Sequence, residues 1–232
     1  MLNLALTVID PVINDIQVSN NLLIEKYGGL AIPITFQESV SETASGEPIM
    51  KTKVFPISCT SSFDDCRSNR FQDLVPNSKH RSIGYFEQIG DATRNAIEEG
   101  RAKRGSLFVY DIPVRLVVWL NIPKMNLNGD QATACNIAGM VLMKLQKALY
   151  RPNGFEFPAD VYPNSNVQMI FQAQEAKDAN RIFGKYSYGD LTKFMLFPYD
   201  WFSLRYLVRV RISANCYDAF TIGTPENCAA SQ

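Results

Sequence analysis

Asn128 to Tyr150 (NGDQATACNIAGMVLMKLQKALY) constrains the fold most, because it reads as a helix enclosed by strands. Ala134, Ile137, Ala138, Val141, Leu142, Leu145, Ala148 and Leu149 recur at steps of three and four and line one stripe. Gln131, Asn136, Lys144, Gln146 and Lys147 lie mostly off it. Asn128 or Asp130 can cap the start, and Lys144, Lys147 and Arg151 put positive charge near the negative end of the helix dipole. Arg151-Pro152 stops it, since the residue before a proline is pushed out of helical geometry. Such a stripe has to be covered, and the neighbouring segments offer the surface.

The strongest of these is Leu107 to Asn121 (LFVYDIPVRLVVWLN). Side chains alternate along a strand, so Phe108, Tyr110, Ile112, Val114, Leu116, Val118 and Leu120 share one wholly apolar face, which should meet the helix. Val109, Asp111, Pro113, Arg115, Val117 and Trp119 share the other, and Pro113 predicts an edge or a bulge. Val167 to Glu175 and Tyr199 to Cys216 alternate in the same way. Earlier in the chain, Leu2 to Lys26 reads as a helix broken near Ser19-Asn20-Asn21 and stopped at Gly28-Gly29. Leu30–Gln37 and Ile49–Ser58 read as a long hairpin whose polar tip is Ser39–Glu47. Cys59–Arg81 is irregular, Ile83–Ile89 suits a short strand, and Asp91–Gly100 suits a helical turn or two. These elements predict a single α+β domain over 1–232: a mainly antiparallel sheet, one principal helix packed on it, a long hairpin, and a loop-rich insertion around 59–105. A doubly wound nucleotide-binding fold would need more strand–helix alternation and a glycine-rich turn after the first strand.

Composition narrows the function classes. Lysines and arginines balance aspartates and glutamates at 23 each, which argues against a general nucleic-acid coat or a membrane-surface protein. No run approaches the roughly 20 apolar residues of a membrane span, and the apolar N-terminus has no basic start and is interrupted by Asp10-Pro11. The five cysteines (Cys59, Cys66, Cys135, Cys216, Cys228) are widely spaced, and His80 is the only histidine, so zinc-ligand spacing is missing and free thiols in a reducing cytoplasm are the plain reading. No cofactor is implied.

Catalytic signatures are equally sparse. Asp64-Asp65 and Glu98-Glu99 are adjacent pairs, whose side chains diverge, and neither a GxSxG nor a phosphate-loop pattern occurs. The notable polar feature is arginine on the polar faces of two strands: Arg205, Arg209 and Arg211, with Arg115. Brought together, they would make a basic band able to line a DNA channel through phosphate contacts. The plainer reading is a solvated sheet face balanced by acids from elsewhere. Phe63, Phe71, Leu74 and Val75 are apolar anchors in an otherwise polar loop and are candidates for docking on the chain's own domain or on another subunit.

The order of elements, with the closing segment FMLFPYDWFSLRYLVRVRISANCYDAF following LVVWLN and the helix, resembles the tail-terminator and neck (head–tail connector) proteins of tailed bacteriophages, including those of crAss-like phages. The resemblance spans roughly residues 105–220. It implies a virion protein without enzyme activity, made in the host cytoplasm. It also implies a ring of identical subunits contacting a portal-side connector and the tail tube, with non-specific DNA contact in the channel. The region 37–105 is longer than a minimal terminator needs. The competing expectation is a small-molecule-binding or enzymatic domain with its site in 59–105, marked by a pocket of converging polar groups.

Overall fold

A computed structural model describes residues 2–13, 24–42, 48–58, 74–95, 107–125, 134–159, 162, 164–187 and 191–213. Eight strands form one sheet: β1 (Lys26–Glu42), β2 (Pro48–Ser58), β3 (Ser82–Gln88), β4 (Thr93–Asn95), β5 (Leu107–Asn121), β6 (Phe155–Glu156), β7 (Asn166–Gln174) and β8 (Tyr199–Ser213). Their spatial order is β2-β1-β3-β5-β8-β7-β6, with β4 also on β5. Among the described residues the α-helices are α1 (Leu2–Thr7), α2 (Ala134–Leu149) and α3 (Ala179–Phe183), of which two are short.

This corrects the expected α+β class. The fold is a mixed eight-stranded sheet with few short helices, and no single helix dominates it. The sheet is mixed because β1 runs parallel to β3, whereas its remaining pairings are antiparallel. Helix α2 shares its task. Ile137, Val141, Leu145 and Leu149 meet Ile112, Val114, Leu116 and Val118 of β5 and Leu204, Val208 and Val210 of β8 in one core, but Leu2, Ala5, Leu6, Ile9 and Ile13 enter that same core from the N-terminal segment. Each such valine, leucine or isoleucine, fully buried, contributes about 1.5–3 kcal/mol.

The opposite face of the sheet is covered as well. Ala31, Leu74, Ile83, Tyr85, Val117, Trp119 and Trp201 form a second core with Ile182 and Phe183 of α3. The Trp119 indole stacks on Tyr199 and donates to the Phe194 carbonyl at 2.7 Å. FPYDWF is thus a strand entry with aromatic packing. Since both faces are buried, strand residues supply most of both cores.

Three local readings change. Gly28-Gly29 stops no helix; it lies within β1, where the β1–β3 register shifts between Tyr27 and Leu30. Gly29 has φ 54°, which disfavours any side chain, and a Cβ on Gly28 would meet Leu74 Cδ1 at 2.6 Å. Asp91–Gly100 holds the short strand β4 where a helical turn was expected; residues 96–100 fall outside the described ones. Pro113 sits in the central strand and not at an edge. It occupies the point where β5 exchanges β3 for β4: the β3 ladder ends at Val114, that of β4 begins at Asp111, and the missing N–H is not needed between them.

Candidate functional site

Two features of the molecule invite a functional reading: a row of buried charges on the second face, and an arm built from β1 and β2.

The charged row follows from strand register. Glu87 of β3 lies opposite Arg115 of β5, which lies opposite Arg205 of β8. Two guanidinium groups directly opposite would repel. Glu175, just past the end of β7, separates them. Its carboxylate accepts from Arg115 Nε, from Arg115 Nη2 at 3.1 Å, from Arg205 Nη2 at 3.0 Å and from the Ser203 hydroxyl at 2.9 Å. Glu87 accepts from Lys185 Nζ at 2.9 Å and from the Tyr186 hydroxyl, and stands 3.6 Å from Arg115 Nη1. Burial works to raise the Glu175 carboxyl, but hydrogen bonds from Arg115 and Ser203 and the charges of Arg115 and Arg205 outweigh it and hold the group below its ordinary range. Four residues farther along both strands, Arg209 forms a two-bond fork with its cross-strand partner Asp111 at 2.8 and 2.9 Å.

The strands do bring the four arginines onto one face, but as a compensated network. Arg115 is buried, and Arg205 and Arg209 are half-buried and tied to acids. Arg211 is half-buried, with amide oxygens of Asn166 and Gln168 at 3.5 Å. Glu87, Asp111 and Glu175 were not singled out from the sequence; the signal available was the strand alternation that placed Asp111 and Arg115 on one face. Leu74 is 3% exposed and packed over Gly28, so it serves the chain's own core, and Val75 is half-buried. Phe63 and Phe71 lie outside the described residues, as do Cys59, Cys66, Cys216, Cys228 and both acidic pairs, Asp64-Asp65 and Glu98-Glu99. Among the described residues no three metal-ligating side chains cluster, and no helix is long and apolar enough to cross a membrane.

The arm is the second feature. At its root, Ala31, Pro56 and Ile57 are buried, and Val54 exchanges hydrogen bonds with Ser187 at 2.8 and 3.0 Å. Beyond it, β1 and β2 pair only with each other through Glu38↔Lys51 to Glu42↔Pro48, with a register shift between Ser39 and Ser41. Thr35, Gln37, Ser41 and every residue from Pro48 to Thr52 are exposed, Ile49 and Met50 at 45% and 49%. Residues 35–42 alone extend about 25 Å at roughly 3.3 Å per residue. A two-stranded ribbon is marginal in water unless something covers it.

No protein-family model matches this chain, and no curated protein matches it.

Proposed function

We propose that this chain is a structural subunit of a tailed-phage virion that assembles into a ring at the neck or tail end. The observation that carries the reading is the arm: a hairpin rooted in a two-sided core, extending beyond it with exposed Ile49 and Met50. An extension of that kind gains its stability from a neighbour. Identical copies joined through different patches close into rings when the rotation permits. The buried charged row suits the same role, because its partners come from β3, β5, β8 and the segment after β7 and hold the body in one geometry. In the virion the ring would meet a portal-side connector and the tail tube. Non-specific DNA contact would fall chiefly to Arg211, since Arg115, Arg205 and Arg209 are engaged with Glu175 and Asp111.

The test is to image the purified protein by negative stain and to probe phage particles with an antibody against it. Rings with a central opening, and label at the head–tail junction or tail end, are expected. Particles without label, and no closed assembly in the purified protein, would overturn the reading.

A further inference from the structure

A groove of about 440 Å³ opens between α2 and β7, at the end of the sheet opposite the arm. Its rim carries Met143, Tyr150 and Phe171, exposed at 68%, 71% and 46%. Three large apolar side chains left in water at one groove mark a contact surface. Tyr206 lines the groove and is only 2% exposed, with Phe171 set edge-on against its ring at 5.6 Å. The Tyr206 hydroxyl is buried and has no hydrogen-bond partner among the described residues. Leaving such a group unpaired costs free energy, so a partner that supplies a hydrogen bond there is favoured. Burial pushes the phenol well above its ordinary range, so it meets that partner as a neutral hydroxyl.

The backbone beside the groove is also unpaired. β6 pairs only with Asn166 and Val167, and among the described residues no strand lies outside 168–174. This edge, QMIFQAQ, has neither charge nor proline to deter pairing. At the other end of the same sheet β2 is the last strand; Val54 is bonded to Ser187, but among the described residues no strand lies outside Pro48–Thr52. The two edges are about five strand spacings apart within one molecule, roughly 24 Å, so the arm lies far from its own groove.

We propose that the α2–β7 groove receives the arm of a second copy, β2 adding to the β7 edge and its Met50–Thr52 face entering the groove. This rests on the ring reading and names its contact. Charge selects the face. Met50 and Thr52 alternate with Ile49, Lys51 and Lys53, and the exposed Lys147 on the groove repels the lysine face. The Met50 thioether then meets the aromatic rings of Tyr150 and Phe171, a favourable sulfur–aromatic contact. With a shift of the side chains that cover it, the Tyr206 hydroxyl gains in Thr52 the hydrogen-bond partner it lacks. Strand addition with alternate side chains in a groove is a general mode of recognition. Because arm and groove are different patches, the contact is head-to-tail and passes from copy to copy.

The test places a benzophenone amino acid at position 50 of the full chain, irradiates the assembled protein, and maps the adducts by mass spectrometry. Adducts on residues 143–150 or 169–171 of another copy are expected. An oligomer that forms but gives adducts elsewhere overturns this contact and leaves the ring reading standing. A chain that stays monomeric up to its solubility limit overturns both. Tyr206→Phe supplies an independent readout. It should weaken association roughly three- to tenfold, the worth of one hydrogen bond, while the separated monomer becomes no less stable to heat, since the variant removes an unpaired buried hydroxyl. Unaltered association would remove Tyr206 from the interface.

Discussion

The same two strands behave differently along their length, and the contrast explains the molecule. At the root of β1 and β2, side chains are buried: Ala31 joins Tyr85 and Trp119 in the second core, and Ile57 is 3% exposed. A few residues farther on, the pairing continues through Glu38↔Lys51, but the described side chains are exposed. The β1–β2 ladder runs through both parts, whereas among the described side chains apolar burial is found only in the first. Stability therefore belongs to the body, and the arm draws on whatever it contacts. Substitutions in the body should change folding, and substitutions in the arm should change association.

The largest effect expected is that of Val141→Asp. It places a charge between α2 and the sheet, where Val141 is 4% exposed, and the protein should lose its cooperative thermal transition. A soluble variant with an unshifted melting curve would break the assignment of the helix face. Next is Arg115→Ala, which leaves Glu87 and Glu175 buried without their shared cation. Removing one member of a buried pair costs about 3–5 kcal/mol, readable as a lower urea midpoint with an unchanged slope. Glu175→Gln sharpens the same point through pH. The folded-state value of Glu175 is depressed below 4.5. Its contribution is thus fully present above that ordinary value and is lost as pH falls through the lower folded one. Asp10 works in the opposite sense: burial raises its carboxyl, partly offset by the hydrogen bond from Tyr27, so it favours the fold in acid. Glu175→Gln should therefore flatten the loss of stability below about pH 4.5, measured by urea titrations across that range; a profile parallel to that of the unmodified protein would count against the charged row. The smallest effect on folding is expected from Met50→Ala in the arm, within about 0.5 kcal/mol as for exposed sites generally. Its effect on assembly should nevertheless be measurable.

Several parts of this architecture were legible from residue order. Alternation placed the apolar faces of β5 and β8 correctly, because a strand with one fully apolar face has only one way to bury it; on β7 it held for Val167 and Met169, whereas Phe171 and Ala173 are exposed where the register shifts. The three-and-four spacing identified the buried side of α2 through Ile137, Val141, Leu145 and Leu149. What escaped depends on distant partners. The β1–β3 parallel pairing has no local signature, and it is what turns an antiparallel expectation into a mixed sheet. Trp119 and Val117 looked like one side of an open face, yet α3 and the residues before β8 cover them. The arginines were visible; their neutralisation was not, since Glu175 stands 60 residues from Arg115 and Glu87 98 from Lys185. The Tyr206 hydroxyl could not be recognised as unpaired until its surroundings were known, because on the strand pattern it is one more inward-facing residue.

Assembly through the arm is tested most directly by solution mass from light scattering coupled to size exclusion, for the intact chain and for a variant in which residues 37–52 are replaced by a short Asn-Gly turn. The intact chain should run as a defined multiple of 26.1 kDa, and the shortened one as a monomer with nearly the same melting temperature. An intact chain that is monomeric, or a shortened chain that assembles as well as the intact one, would contradict it.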